Sequence, residues 1–256
     1  MTLSLLTLNT WKADGDYTER LRRLSEGLQR LRPDVIALQE CFLSEDGQAD
    51  TARDLAQALG HHVSVVRARG KRRLYRGQEV MSHSCLAVLS RWPIVQSTDL
   101  TLPTSEQDGG RLAQVVRLAV GEVALTLANV HLTHVSDTDL RRRQLRAVMQ
   151  HLQGLGPSGL TVLAGDCNEE ADGPALRSAA EHLQDAVAAW GHGREPTHWD
   201  AQGQGRVLDH VFVLPQLSQR ALPVIGAGVV LPAQPQGMPQ PTSDHSAVWV
   251  RWAWSD

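Results

Sequence analysis

The run LTVLAGDCN, residues 160–168, is apolar until it ends in two polar side chains, Asp166 and Asn168. Alternate side chains of an extended strand share a face, so these two are expected to point the same way and Cys167 the opposite way. A carboxylate and an amide on one face can act together on one molecule, whereas Cys167 is expected in the core. We therefore predict that this strand ends in a functional site.

Five other apolar runs also end or begin at polar residues. These residues carry only carboxylate, amide or imidazole groups, which move protons, donate hydrogen bonds and bind cations. They are Asn9, Glu40, His131, Asp209, and the pair Asp244 and His245. A single polar residue at a strand end is usually solvated or caps a turn. Six such sites indicate instead that the strand ends converge at one rim of a sandwich.

Two packed sheets covered by helices would bring these ends together. Apolar spacing predicts helices over the segments 16–32, 49–60, 137–153 and, more briefly, 173–183. Short runs rich in Val, Leu and Ile predict strands over the segments 3–9, 33–40, 61–68, 85–96, 111–120, 122–132, 160–168, 206–214, 221–230 and 246–254. The pattern indicates an α/β protein with two mixed sheets.

The composition is that of one globular unit. The chain has 256 residues, of which 42% are hydrophobic, and no long stretch departs from that average, so a single domain over residues 1–256 is predicted. The net charge of −3 provides no overall positive field that would attract nucleic acid or anionic membrane. Any affinity for phosphate must therefore be local.

The cellular setting is predicted from cysteine usage and from the amino-terminal segment. Cys41, Cys85 and Cys167 are odd in number and widely spaced, which argues against a disulfide framework or a zinc cluster. The segment MTLSLLTLNTW has no charged leader, and no later run approaches the length of a membrane span. We therefore expect a soluble, cytoplasmic monomer without a transmembrane segment.

One segment is strongly basic. RARGKRRLYRG, residues 67–77, combines six arginine or lysine side chains with Tyr75. It is expected to form a loop, which either follows a phosphate backbone with the tyrosine as a stacking platform or is simply solvated. The sequence leaves both interpretations open.

The motifs, taken in order, carry a resemblance to a known family. LNTW, LQE, AVLSRWPI, NVHL, GDCN, LDHVF and SDH extend from Asn9 to His245 and resemble the endonuclease/exonuclease/phosphatase superfamily. The resemblance implies a four-layered α/β sandwich of the DNase I-like type with its active site at one edge. It also implies an enzyme that directs water at phosphorus with the help of a divalent metal, Mg²⁺ or Mn²⁺.

The resemblance further assigns roles to the metal side of the site. Glu40 corresponds to the principal metal ligand, with Asn9 close by, and Asp244 adds to the metal site. Oxygen donors of this kind suit Mg²⁺, which needs only one or two carboxylates because it keeps several waters.

The remaining residues correspond to the catalytic groups. Asp166 is expected to orient or deprotonate the attacking water, and Asn168 to donate a hydrogen bond to that water or to the phosphoryl oxygen. Asp209 is expected beside His245, where a carboxylate raises the imidazole pKa so that it can donate to the phosphate. His131 is expected to donate from the opposite side.

The sequence departs from the abasic-site endonucleases of the superfamily. NVHLTH stands where they carry a tyrosine-containing segment, and Trp11 stands where they carry an acid, so abasic-site cleavage is disfavoured. The motif formed by Arg141, Gln144 and Leu145 is closer to the sphingomyelinase and general phosphodiesterase branches. Arg141 is expected to support the site, to steer phosphate, or to lie on a solvated helix face.

The substrate remains open among nucleic acid, a lipid head group and a small phosphodiester. A non-catalytic module that binds phosphate or nucleic acid with the same fold is the alternative to an enzyme. A protein-interaction scaffold could instead use the basic segment and the Pro/Gln-rich loop at 231–241. Glu40, Asp166 and His245 are all present, which favours the enzyme.

Overall fold

The computed structural model of the chain describes residues 2–121, 123–191, 195–200, 202–233 and 241–254. The strands are β1 (Thr2–Asn9), β2 (Val35–Ser44), β3 (His62–Tyr75), β4 (Gln78–Ser90), β5 (Ile94–Thr101), β6 (Leu112–Val120), β7 (Val123–His131), β8 (Leu160–Asp166), β9 (Gln184–Asp185), β10 (His198–Trp199), β11 (Gly205–Arg206), β12 (Asp209–Val213), β13 (Val224–Val230) and β14 (Ala247–Ala253). The helices are α1 (Tyr17–Leu31), α2 (Thr51–Leu59), α3 (Thr138–Leu155), α4 (Pro174–Arg177) and α5 (Ala186–Trp190).

The strands form two six-stranded mixed sheets and one small hairpin, β10–β11. The first large sheet has the order β13-β14-β1-β2-β4-β3, and the second has the order β5-β6-β7-β8-β12-β9. Strands β1 and β2 are parallel, as are β7 and β8, and a helix connects each of these pairs, because parallel neighbours need a crossover. These two parallel pairs carry four of the predicted site residues.

The three longest helices begin at aspartates. Asp16, Asp50 and Asp137 each accept a hydrogen bond from a backbone N–H in the first turn of the helix that follows. Such caps satisfy amides that have no partner within the helix. The apolar faces of these helices then cover the outer faces of the two sheets.

Three apolar clusters define the layers. The central cluster lies between the sheets and includes Val88, Leu127, Val162 and Trp252, all nearly or fully buried. A second cluster joins the first sheet to α1 and α2, and a third joins the second sheet to α3 and α4. This order of helix, sheet, sheet and helix confirms the predicted four-layered α/β sandwich. The assignment of the whole chain to one domain stays a prediction.

A buried polar network joins the two sheets beneath one edge. Gln39 Nε2 donates to Asn129 Oδ1 at 2.8 Å and to Thr7 Oγ1 at 3.0 Å. Asn129 Nδ2 donates in turn to the carbonyls of Leu38 and Ala87. Gln39 precedes Glu40, and Asn129 lies two residues before His131. The network therefore holds the strand ends of the two sheets together, because separating them would leave the donating amide N–H groups buried without partners.

Two predictions about the elements were wrong. The segment 85–96 is not one strand: β4 and β5 belong to different sheets, and the chain passes between them at Arg91, Trp92 and Pro93. Proline cannot donate to a ladder, which explains a break at this point. The helix predicted over 173–183 covers only Pro174–Arg177 and gives way to turns.

Two further points concern membrane-spanning helices and the Pro/Gln-rich loop. No helix among the described residues is long and apolar enough to cross a membrane. Of the Pro/Gln-rich loop at 231–241, residues 234–240 lie outside the described residues.

Candidate active site

The predicted site residues meet at one edge of the sandwich. The ends of β1, β7 and β8 and the middle of β2 border a cleft of about 430 Å³ there. Seven of the eight predicted residues line this cleft: Asn9, Glu40, His131, Asp166, Asn168, Asp244 and His245. The eighth, Asp209, is buried beside His245.

Strand register places three of these side chains in a row. His131 on β7 lies opposite Asp166 on β8, and Asp166 lies opposite Asp209 on β12. Gly165 permits this arrangement, because a Cβ atom there would lie 2.0 Å from the carbonyl oxygen of Val130. Only glycine lets β7 and β8 approach closely enough at this point.

Asp166 occupies the centre of the site. Its Oδ2 atom accepts a hydrogen bond from Asn9 Nδ2 at 3.1 Å and lies 3.5 Å from His131 Nε2 and 3.9 Å from His245 Nε2. Burial raises the pKa of this carboxyl above its usual range, and the charge of His245 opposes that rise. A carboxylate with a raised pKa is a better proton acceptor than an exposed one, which suits a general base.

Asp209 and His245 form a buried pair. His245 Nδ1 lies 2.7 Å from Asp209 Oδ2, which leaves Nε2 to face Asp166. Burial disfavours the imidazolium, but the carboxylates of Asp209 and Asp166 outweigh it and raise the pKa of His245. His131 behaves oppositely: burial and the nearby charge of Arg111 hold its pKa well below the usual value. The site therefore combines one charged and one neutral imidazole.

Asn168 reaches the cleft by a different route from the one predicted. Strand β8 ends at Asp166, and Asn168 has a left-handed backbone with φ of 50°. Its backbone N–H donates to Asp166 Oδ1 at 2.8 Å, and its side-chain amide donates to the Leu132 carbonyl at 3.0 Å. Strand alternation therefore does not explain the position of Asn168, although this residue lines the same cleft as Asp166. Cys167 is fully buried in an apolar cluster, as predicted.

The corner of the cleft beside Asp166 contains three oxygen-bearing side chains, those of Asn9, Glu40 and Asp244. The predicted strand end at Glu40 was wrong, because β2 continues to Ser44. Glu40 sits instead at a β-bulge with φ of 55°, which turns its side chain into the cleft. Asn9 Oδ1 accepts from the Trp11 backbone at 3.0 Å. Burial raises the pKa of Asp244, and the nearby charge of Glu40 adds to this rise. These three side chains could hold a divalent cation.

Lys12, which was not among the predicted site residues, lies in the same corner. Its Nζ atom is 2.7 Å from Glu40 Oε2. Trp11 and Lys12 both have left-handed backbones and turn the chain back towards β2. Lysine three residues after Asn9 was visible in the sequence, but the turn that directs it at Glu40 was not.

Arg20 holds this turn in place. The side chain is 3% exposed and donates hydrogen bonds to the carbonyl oxygens of five residues. They are Thr10, Trp11, Lys12, Asp14 and Thr242. One guanidinium therefore fixes both the segment that carries Lys12 and the segment that precedes Asp244.

The basic segment 67–77 is not a loop. It forms the end of β3 and a turn at Arg76 and Gly77 that leads into β4. Arg69, Lys71 and Arg73 lie on one face of the strand and line the cleft. Tyr75 is buried against Tyr17 and Phe42. It is therefore not an exposed stacking platform.

Arg141 is not on a solvated helix face. It is buried, pairs with Glu169 at 3.2 Å and donates to the carbonyl of Thr133. Gln144 accepts from the Thr133 backbone N–H at 2.8 Å and donates to Asp108. The two residues thus brace the segment that follows His131, and Arg141 does not line the cleft.

His210 and His198 lie next to the Asp209–His245 pair. His210 is buried and bonds through Nε2 to the Glu169 carbonyl, which is a structural contact. His198 packs against His245 with ring centroids 4.7 Å apart. The His198 ring therefore packs against the His245 ring and helps to hold it in place.

The chain is similar to known proteins in sequence and in fold. A sequence model described as the Endonuclease/Exonuclease/phosphatase family matches residues 6–245. No curated protein sequence matches this chain at a significant level.

Several solved structures share the fold. A family protein from Leptotrichia buccalis has a TM-score of 0.75 at 17% identity, covering 98% of this chain and 100% of that chain. One from Beutenbergia cavernae has a TM-score of 0.74 at 21% identity, covering 98% of this chain and 71% of that chain. D. rerio TDP2 complexed with single strand DNA product has a TM-score of 0.73 at 17% identity, covering 99% of each chain. Because the family model covers most of the sequence, the chain belongs to the endonuclease/exonuclease/phosphatase family, a family of phosphoester hydrolases.

Proposed function

We propose that this protein hydrolyses phosphoesters by directing water at phosphorus with the help of a divalent metal, Mg²⁺ or Mn²⁺. The observation that carries the proposal is the arrangement around Asp166. A buried carboxylate with a raised pKa lies between a neutral and a charged imidazole, next to a corner of oxygen donors. A phosphodiester needs a base for water, proton donors for its oxygens and neutralisation of its charge.

The oxygen donors fit a hard cation. Glu40, Asn9 and Asp244 would hold it, since Mg²⁺ prefers carboxylate and carbonyl oxygens and keeps several waters. The raised pKa of Asp244 supports this assignment, because that carboxylate lies buried near another negative charge. The bound cation would neutralise phosphate charge and polarise a phosphoryl oxygen.

Two other groups of side chains bring possible metal ligands close together. They are alternatives to the site formed by Glu40, Asn9 and Asp244. Asp166, Asp209 and His245 form one, and His198, Asp244 and His245 form the other, each with ligand atoms within 4.8 Å of one another. The short contact between Asp209 and His245 is already explained by their hydrogen bond. His245 belongs to both groups, and a raised imidazole pKa opposes metal ligation, which needs the neutral ring. We therefore place the cation at Glu40.

The protein groups divide the remaining work. Asp166 accepts a proton from the attacking water, while Asn9 and the Asn168 backbone hold that carboxylate in place. His245 donates a hydrogen bond from its charged ring to the phosphoryl group, and Asp209 keeps it protonated. His131 donates to the phosphate as a neutral imidazole from the β7 side.

The test is hydrolysis of bis-p-nitrophenyl phosphate with Mg²⁺, with Mn²⁺ and with EDTA. We expect turnover only with a metal, and we expect Glu40→Gln to weaken metal activation by about tenfold or more. Glu45→Gln is a matched control, because Glu45 is exposed just after β2 and does not line the cleft. Full activity in EDTA would refute the metal mechanism. Metal-independent phosphate binding without turnover would favour the non-catalytic module.

A further inference from the structure

Basic side chains other than Lys12 form a second wall of the cleft. Arg69 and Lys71 extend from β3, and Arg111 lies on the connection between β5 and β6. Strand β3 and this connection come together at Gly109, where an added Cβ would lie 2.2 Å from Arg69 Nη1. The guanidinium of Arg69 therefore lies against the connection that carries Arg111.

The basic side chains of β3 differ in whether they already form hydrogen bonds or ion pairs within the protein. Arg73, on the same face of β3, donates to the backbone and hydroxyl oxygens of Ser82, so it has a structural role. Arg69 and Lys71 are exposed, and neither forms an ion pair with a carboxylate in the described part of the chain. Both remain available to a ligand.

Arg111 is held rigidly. Its Nε atom donates to Asp108 at 2.9 Å, and Nη2 lies 2.7 Å from His134 Nδ1. Its Nη1 atom has no hydrogen bond to a described residue, although Arg111 lines the cleft. Asp108 is itself fixed by Gln144, so the guanidinium keeps its orientation without a ligand. A preorganised guanidinium is suited to a phosphate.

The balance of charge indicates what this wall recognises. The chain carries a net charge of −3, yet Arg69, Lys71 and Arg111 converge on one wall. Asp108 offsets the charge of Arg111, whereas the charges of Arg69 and Lys71 have no carboxylate partner in the described part of the chain, and like charges at close range repel each other. A scissile diester carries one negative charge, and Lys12, His131 and His245 already surround its proposed position.

We propose that Arg69, Lys71 and Arg111 form a second phosphate subsite, so that the preferred substrate carries another phosphate group beside the scissile ester. This inference rests on the proposed hydrolysis and narrows its substrate class. A lipid or choline ester with a single phosphate would leave the wall unused. A nucleotide chain and a bisphosphorylated metabolite both carry the required chemistry.

The kinetic test uses substrates that differ only in the second phosphate. Thymidine 5′-(p-nitrophenyl phosphate) is compared with its 3′-phosphorylated form, and thymidine 3′-(p-nitrophenyl phosphate) with its 5′-phosphorylated form. We expect the second phosphate to raise kcat/KM by about tenfold in at least one pair, mainly through KM, as several exposed charge contacts would. Equal values within both pairs would overturn the inference.

Two double variants locate the effect. Arg69→Gln with Lys71→Gln should abolish the preference within each pair of substrates. Arg67→Gln with Arg72→Gln removes the same charge from the opposite face of β3, where these residues pair with Cys85 and Met81. This control should retain the preference. Equal losses in both variants would indicate a long-range field rather than a subsite and would overturn the proposal.

A binding measurement separates this inference from the proposed function. Titration of the full chain with thymidine 3′,5′-bisphosphate and with thymidine 5′-monophosphate should give a Kd about tenfold lower for the bisphosphate. The Arg69→Gln, Lys71→Gln variant should lose that difference. If no ester is hydrolysed but the difference persists, the hydrolase proposal fails and the subsite stands. If the esters are hydrolysed without a binding difference, the subsite fails alone.

A last pair of ligands identifies the source of recognition. Propane-1,3-diol bisphosphate and its monophosphate carry the same groups without a nucleoside. The same preference there supports recognition of the phosphate itself. A preference confined to the thymidine compounds would assign recognition to the sugar or base and would overturn the role of the cationic wall.

Discussion

His245 Nδ1 lies 2.7 Å from Asp209 Oδ2 in a pair that is almost completely buried. The sequence separates the two residues by 36 positions, and antiparallel pairing of β12 with β8 brings Asp209 to the edge where His245 lies. The contact fixes which ring nitrogen faces Asp166 and keeps the ring charged, so it links strand register to proton donation.

The first prediction concerns this pair and pH. The pKa of His245 is raised in the folded protein, so its charged ring stabilises the fold below the ordinary histidine pKa of about 6.5. That stabilisation is lost as the pH rises through the raised value. Asp209→Asn removes the main attraction, so the pKa of His245 falls and the alkaline limb of kcat/KM moves to lower pH. An unchanged alkaline limb would show that His245 is not the proton donor.

The second prediction concerns Asp166 and its neighbour Cys167. Asp166→Asn should lower kcat roughly a hundredfold or more, because the amide cannot accept the proton of water. Cys167→Ala should leave kcat within about threefold and lower the free energy of unfolding by about 1 kcal/mol, since it only removes a buried sulfur. Steady-state kinetics and urea denaturation measure the two effects. A larger kinetic effect at Cys167 would contradict the assignment of faces.

The third prediction tests the close approach of β7 and β8. Gly165→Ala places a methyl group against the Val130 carbonyl and should force His131 away from Asp166. We expect a loss of more than about 3 kcal/mol of unfolding free energy together with reduced kcat. Gly60→Ala is the control, because Gly60 also has a positive φ but faces open space. It should cost only about 1 kcal/mol and leave kcat unchanged.

The fourth prediction concerns Arg20. Arg20→Met leaves five backbone carbonyl oxygens without this donor and should lower unfolding free energy by about 3 kcal/mol. The affinity for Mn²⁺ should also fall, because Arg20 holds the segment that precedes Asp244. Arg30→Met, on the exposed face of the same helix, should change neither quantity by a measurable amount. Lost stability with unchanged metal affinity would limit Arg20 to folding.

The positions of the strand-end residues could be predicted because they depend mainly on the order and direction of the strands. Asn9, His131 and Asp166 end parallel strands, and Glu40 follows the last residue of β2 that pairs with β1. The carboxyl ends of such parallel pairs meet at one edge whatever the side chains between them. Apolar periodicity was therefore enough to predict the layers of the fold and the edge at which the cleft lies.

Residues placed by turns and distant contacts could not be predicted in the same way. Asn168 and Lys12 reach the cleft through left-handed backbones, which the alternation rule for strands does not describe. Tyr75 lies in a basic segment whose composition predicts exposure. It is buried because it packs against Tyr17 and Phe42, which are distant from it in the sequence. Local pattern contains no information about such partners.

The last prediction concerns Lys12 and the metal. Lys12 Nζ lies 2.7 Å from Glu40 Oε2, so the ammonium group and a divalent cation compete for the same carboxylate. Lys12→Met should therefore bind Mn²⁺ several-fold more tightly, because it removes both the competitor and a nearby positive charge. The same change should lower kcat, since Lys12 also lines the cleft where the anionic phosphate would lie. Titration of Mn²⁺ followed by paramagnetic resonance measures the affinity, and the phosphodiester assay at saturating metal measures kcat. Weaker Mn²⁺ binding in this variant would mean that Lys12 positions Glu40 for the cation rather than competing with it.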